Sequence, residues 1–203
     1  MHHIDPLYQC SDEELLTRFR DGQQDVFGIL VRRYQRELYG YLRRYLGDAS
    51  LADDVFQATF LQLYLKSDQY EAGRPVRPWL YTIATHQAID AMRRVGRHPT
   101  VSLDQASSEN GEVPRLMELL ESHETDPFEH AHAEERRHVV RAGVEKLPDF
   151  LKQVVILAYY QGLKYRDIAD ILEIPVGTVK SRLNTALTRL REAWTDTPSV
   201  PEM

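Results

Sequence analysis

Histidines and acids crowd one stretch of the chain: His123, His130, His132 and His138 stand with Glu134 and Glu135, and Glu135 to His138 has the Glu-x-x-His spacing of a helical-bundle metal ligand. Glu129 to His132 repeats the spacing, but both copies lie in one short stretch and not on the separate helices from which a dinuclear carboxylate site draws its ligands. The stretch therefore reads as a solvated segment, with no resident metal and no cofactor expected. Cys10 is the only cysteine, so neither an internal disulfide nor a cysteine-based zinc site can form within the chain, and it reads as a small, semi-buried thiol. No nucleotide-binding glycine loop, nucleophile elbow or convincingly spaced pair of catalytic carboxylates is present, which leaves enzyme chemistry and a small-molecule substrate without support.

The residue pattern with the most specific meaning lies near the C-terminus. Tyr165 to Leu172 has the spacing of a short helix, Glu173-Ile174-Pro175 that of a turn, and Val176 onward that of a longer helix, which together make a helix-turn-helix signature. Ala169 is the small residue where the helices cross, and Ile168, Leu172, Ile174, Val179 and Leu183 are the expected shared core. The buried stripe then continues through Ala186, Leu190 and Trp194. Thr178 or Gly177 is expected to begin the second helix with backbone N–H groups suited to a phosphate. Lys180, Ser181, Asn184, Thr185 and Thr188 are left outward, a polar and locally basic row of the kind that enters a DNA major groove.

The N-terminal half reads as three helices and one loop. Phe27, Leu30, Val31, Tyr34, Leu38, Tyr41, Leu42 and Tyr45 recur at three- and four-residue steps, with Arg32, Arg33, Arg36, Arg43 and Arg44 filling the opposite side. The second helix is expected to start with Ser50 as N-cap and Asp53 three positions on, Asp53 and Asp54 complementing its dipole, and to run to about Lys66. Ser67 to Pro78, with Gly73, Pro75 and Pro78, reads as a loop. Trp79 then opens a third helix reaching about Arg94, with its own ring placed in the core.

The 203 residues carry 25 Lys and Arg against 31 Asp and Glu, a net charge of -6 that argues against a protein that simply coats nucleic acid. The acidity is local: residues 101–150 hold 12 acids and 5 bases, whereas residues 1–100 hold 13 of each. The same middle stretch is rich in turn-forming residues from Arg97 to Pro127, with helical patches only at about Arg115–Glu121 and from about Phe128 to Glu145. The expected architecture is all-α: two small helical domains, 11–97 and 133–197, joined by an acidic linker, 98–132. No run of about 18 or more apolar residues occurs, and Met1-His2-His3-Ile4-Asp5-Pro6 lacks the order of a signal peptide, so a cytoplasmic protein without membrane insertion is expected.

Ala52-Asp53-Asp54-Val55-Phe56-Gln57-Ala58-Thr59-Phe60, then Pro78-Trp79-Leu80-Tyr81-Thr82-Ile83-Ala84 with Ala88-Ile89-Asp90 and Arg93-Arg94, then the helix-turn-helix, resemble a bacterial sigma factor of the extracytoplasmic-function group of the sigma-70 family. The likeness runs from about Glu14 to Trp194. It implies a region-two domain, a linker and a region-four domain, with core RNA polymerase and promoter DNA as partners and an anti-sigma factor as a further one. On this resemblance Asp53, Asp54, Gln57 and Leu61 form the surface that grips the polymerase clamp. Tyr70, Arg74 and Arg77 belong to the loop that captures a flipped minus-ten base, where stacking contributes about 1–3 kcal/mol per base. His86, Gln87, Asp90, Arg93, Arg94 and Arg97 flank that base and its phosphates. Thr178, Lys180, Ser181, Arg182, Asn184 and Thr185 read or position on the minus-thirty-five duplex.

Two departures from the family pattern bear on promoter choice: His86 stands where relatives usually have Asn, and the recognition helix is neutral near Thr185 and Leu187, where relatives often have arginines. Fewer cations imply fewer neutralised phosphates and a weaker, less salt-sensitive hold on the duplex. The resemblance also implies that the acidic linker occupies a cationic polymerase channel built for RNA. A different class, a one-component regulator binding an operator as a helix-turn-helix dimer, would need a ligand pocket in the N-terminal half, and none is evident in the sequence.

Overall fold

The computed structural model describes residues 6–71, 73–96 and 139–195. The linker, the helix at Arg115–Glu121, the start of the helix from Phe128, the histidine-rich stretch, Arg97 and the packing of Trp194 lie outside the described residues. Every regular element among them is helical, and the chain divides into two compact units, broadly an N-terminal and a C-terminal one.

After a 3-10 turn at Pro6–Gln9, the first α-helix of the N-terminal unit is one that the apolar periodicity does not single out. Ser11 accepts from the Glu14 N–H at 3.1 Å while the Glu14 carboxylate accepts from the Ser11 N–H at 2.8 Å. This reciprocal capping starts α1, Asp12–Arg20, which buries Leu15, Leu16 and Phe19. Only nine residues long, it is too short to show a repeating stripe, and its signal was the cap. α2, Phe27–Leu46, buries Leu30, Tyr34, Leu38, Tyr41, Leu42 and Tyr45, as its periodicity predicts, and exposes its arginines.

Gly47 ends α2 in the left-handed conformation at φ 69°, donating its N–H to the Arg43 carbonyl, a geometry a β-carbon would oppose. Asp48 follows at once as the N-cap of α3, Ala49–Leu65, accepting from the Leu51 N–H at 3.0 Å. The cap is therefore Asp48 and not Ser50, because the tight turn after Gly47 leaves no longer connection to be capped. Asp53 and Asp54 consequently lie beyond the first turn. α4, Val76–Arg94, starts three residues before Trp79. Pro78 sits within its first turn, where a missing N–H costs the helix nothing, so it belongs to the helix and not to the loop.

α2, α3 and α4 pack against one another, and α1 packs on α2 and α4. Aromatic clusters fill the gaps, among them Phe19, Phe27 and Tyr64, with ring centroids 4.9 to 5.4 Å apart, Tyr41 with Tyr45 and Tyr81, and Tyr39 with Phe56 and Phe60. The Tyr41 hydroxyl is bonded to that of Thr85 at 2.8 Å, so the polar end of a fully buried ring is satisfied. Burial raises the Tyr41 phenol well above its ordinary value.

The C-terminal unit comprises α5 (139–146), α6 (Asp149–Val155) running into a π-turn at Ile156–Tyr160, α7 (Tyr165–Leu172) and α8 (Val176–Thr195). Leu151, Val154, Val155, Ile156 and Leu157 of the α6 and π-turn segment are fully buried, and α6 packs on α8. The helix-turn-helix follows the sequence reading in its first helix and turn. Glu173 ends α7 at φ 53°, with the Ile174 N–H reaching back to the Ala169 carbonyl at 3.0 Å. Ile168, Val179, Leu183, Ala186 and Leu190 are buried as expected, whereas Leu172 and Ile174 are only half-buried and Ile171 takes the fully buried position.

Candidate functional site

Three surfaces carry the residues singled out above. On α3, Asp53, Asp54, Gln57 and Leu61 are all exposed and recur at three- and four-residue steps, so they share one face. That face continues into Leu65, and both leucines are unusually open for large apolar side chains, 59% for Leu61 and 60% for Leu65. Asp48 caps the helix, so the two aspartates are left projecting from its second turn. The Tyr39 hydroxyl bonds to Asp53, which raises that phenol above its ordinary value. Carboxylates, an amide and two leucines along four turns form a mixed polar and apolar strip suited to a helical partner.

The second surface is the loop between α3 and α4 with the outward side of α4. A short 3-10 turn at Ser67–Gln69 leads to Tyr70, which is 5% exposed. The Tyr70 ring lies beside Trp79 at 5.3 Å, and its hydroxyl donates to the Arg74 carbonyl. Of the three residues assigned to the base-capturing loop, Tyr70 is thus packed inward and anchors the loop from inside. Trp79 is half-buried and not fully in the core, because it closes over Tyr70 at the edge of the unit.

Gly73, at φ 92°, lets the chain turn outward, and Arg74 beyond it is exposed and paired with Glu71 at 2.8 Å. Arg77 points elsewhere. It is held by Glu37 at 3.2 Å and lies over the Tyr81 ring at 5.5 Å. Burial works against its charge, but the Glu37 carboxylate more than offsets this and keeps the guanidinium above its ordinary value. His86, Gln87, Asp90, Arg93 and Arg94 form the outward face of α4, the last three exposed and Asp90 paired with Arg93 at 3.4 Å. Arg77 precedes His86 by nine residues, about half a turn out of phase at roughly 100° per residue, so the helix does not bring it to that face.

The third surface is α8. Lys180, Ser181, Asn184 and Thr188 are exposed and Thr178 and Thr185 half-buried, forming one outward row. The hydroxyls of Ser181, Thr185 and Thr188 donate to the carbonyls of Thr178, Ser181 and Asn184 at 2.9 to 3.1 Å, fixing their rotamers against the helix. The helix begins at Val176, earlier than Gly177 or Thr178, and the N–H groups of Thr178 and Val179 are taken by the Pro175 carbonyl. Arg182 stands apart from the row: half-buried, it stacks over Phe150 at 5.4 Å, and desolvation lowers its pKa. Leu187 is buried and so does not belong to the outward row.

Among the described residues no group of three or more His, Cys, Asp and Glu side chains is placed to hold a metal, and no helix is long and apolar enough to cross a membrane. The functional element that sequence reasoning missed is α1, which touches the loop at both ends. Arg20 donates to the Tyr70 carbonyl at 3.2 Å, and Glu13 accepts from the Val76 N–H at 3.1 Å. Only the Ser11 to Glu14 capping pattern announced it.

Residues 30–98 match the model of Sigma-70 region 2, and residues 137–190 that of Sigma-70, region 4. The ECF RNA polymerase sigma-E factor of Escherichia coli strain K12 is 33% identical over 176 residues, 86% of this chain and 90% of that one. Its counterpart in Salmonella typhimurium is equally similar, and that of Haemophilus influenzae is 31% identical over the same span. Two solved structures share the fold: CnrH in complex with the cytosolic domain of CnrY, TM-score 0.65 at 21% identity, covering 92% of this chain and 99% of that one; and the sigma factor RpoE in complex with the anti-sigma factor NepR from Bartonella quintana, TM-score 0.60 at 20% identity, covering 85% and 98%. Region two ahead of region four, with nine-tenths of the sigma-E factors' length covered at a third identity, places the chain in the extracytoplasmic-function group of the sigma-70 family.

Proposed function

We propose that this protein is a transcription initiation factor that binds core RNA polymerase and directs it to promoters, acting through contacts and without catalysis of its own, in the cytoplasm. The observation that carries the reading is the outward face of α3. Asp54, Gln57, Leu61 and Leu65 project there, and neither the helix caps nor the core uses them. An operator-binding dimer has no need of such a face beside its helix-turn-helix, whereas a factor that docks on a much larger enzyme does. Residues 11–97 form the polymerase-binding and minus-ten domain, 98–132 the linker and 133–197 the minus-thirty-five domain. Asp53, Asp54, Gln57 and Leu61 contact the polymerase. Arg74, His86, Gln87, Asp90, Arg93 and Arg94 meet the opened minus-ten element, while Tyr70 braces the loop from within and Arg77 ties α4 to α2 through Glu37. Thr178, Lys180, Ser181, Asn184 and Thr185 lie along the minus-thirty-five groove, with Arg182 at its margin. An anti-sigma protein that covers these faces is the natural antagonist.

Fluorescence anisotropy on a labelled promoter, with the chain alone and with core polymerase added, tests this reading. The chain alone should bind weakly and the pair tightly and specifically. Tight specific binding by the chain alone, unaffected by polymerase, supports the operator-binding dimer instead.

A further inference from the structure

We infer that Glu13 and Arg20 of α1 are positioning residues for the promoter-opening loop, holding it from both ends in the shape that receives DNA. The inference rests on the reading that this loop meets the minus-ten element. A loop that captures a base must be ordered at the moment of capture, and any ordering not already present in the free protein is subtracted from the binding energy. The loop between α3 and α4 is held in two places by one helix that precedes it by some fifty residues. At its start the Arg20 guanidinium donates to the Tyr70 carbonyl at 3.2 Å across 50 residues of sequence. At its end the Glu13 carboxylate accepts from the Val76 N–H at 3.1 Å across 63.

The second contact fills a gap in the helix itself. Pro75 occupies the N-cap position of α4 and makes no side-chain cap, so the orphan N–H and the positive end of the helix dipole are met by a carboxylate from α1. α1 is in turn fixed to α2, because Asp12 accepts from the Arg33 guanidinium and the Tyr34 hydroxyl. Between the two clamps Tyr70 is pinned by Trp79 and by its bond to the Arg74 carbonyl. Gly73, Arg74 and Pro75 remain exposed. Glu13 and Arg20 thus set the position of the backbone that presents Gly73, Arg74 and Pro75.

The test uses holoenzyme reconstituted from the full chain and core polymerase, with Glu13→Met, Arg20→Met and the conservative Glu13→Gln, which keeps an acceptor oxygen. Permanganate reactivity of the minus-ten thymines reports opening on a duplex promoter and on one already mismatched across that element. Each Met variant should lower duplex opening about tenfold, the effect of losing one charge-assisted hydrogen bond. Core affinity and thermal midpoint should hold, the mismatched template should show a much smaller defect, and Glu13→Gln should open the duplex nearly as the parent does. Unchanged duplex opening, or equal losses on both templates together with lost core affinity, overturns the inference in favour of a merely structural α1. Failure of the unsubstituted holoenzyme to open a promoter overturns the functional reading, and the inference with it.

Discussion

In the C-terminal unit the hydrogen bonds that shape the outward row of α8 span three or four residues, from Ser181 to Thr178, Thr185 to Ser181 and Thr188 to Asn184. In the N-terminal unit the loop that carries the proposed minus-ten contacts is set by partners 50 and 63 residues away, Arg20 and Glu13. A duplex-reading surface can be written into one helix and its turn, because the groove is preformed and needs only a rigid row of side chains. A strand-opening surface must hold irregular backbone in place, and irregular backbone is held by whatever else the fold brings near it.

Phe19→Ala should widen this contrast most. The ring is buried between Phe27 and Tyr64, and its loss should cost about 3–5 kcal/mol in the N-terminal unit. Hydrogen exchange should show lost protection across α1 to α4 and unchanged protection in α8; an equal loss in α8 would break the comparison.

High pH should act on the same unit. Tyr34, Tyr41 and Tyr81 are all raised, chiefly by burial, with Asp12 and Glu37 adding to the shift at Tyr34 and Glu37 at Tyr81. Their neutral forms are favoured in the fold, so the stability they contribute is intact below about pH 10, where the unfolded phenols titrate, and is lost above it, at up to about 1.4 kcal/mol per tyrosine per pH unit. Tyrosinate absorbance should therefore rise cooperatively with unfolding; a gradual rise without unfolding would mean the rings ionise in place.

Replacing Asp54 and Gln57 together by Ala should weaken core-polymerase binding about tenfold without moving the thermal midpoint. Unchanged affinity in a titration would remove α3 from the interface. Lys180→Ala should reduce the slope of log affinity against log salt for promoter binding by about one, the effect of one phosphate contact, and an unaltered slope would return Lys180 to the solvated surface. The smallest effect concerns turns: α2 ends at Gly47 and α7 at Glu173, both left-handed. Glu173→Gly should raise C-terminal stability by about 0.5–1 kcal/mol, since a β-carbon is disfavoured at that φ. A loss of stability would show that the Glu173 side chain contributes more than its backbone costs.

The same contrast explains what could be read from the residues alone. α2, the helix-turn-helix and the α8 row were legible because period, turn chemistry and small residues are local signals. The cap of α3 is Asp48 where the sequence reads Ser50, since both are good caps and only the abrupt end of α2 at Gly47 chooses between them. Tyr70, in a stretch with Gly73, Arg74 and Pro75, reads from the sequence as part of the base-capturing loop. Its burial depends on Trp79 and on α1, which no local pattern connects to it. α1 itself had a readable cap and too few turns to show a period.

Run-off transcription from a duplex promoter by core RNA polymerase, with and without this chain, tests the central claim most directly. The account predicts promoter-specific transcripts only when the chain is present, and their loss when Asp54 and Gln57 are replaced. Equal transcription in its absence, or specific DNA binding by the chain that never recruits polymerase, would contradict it.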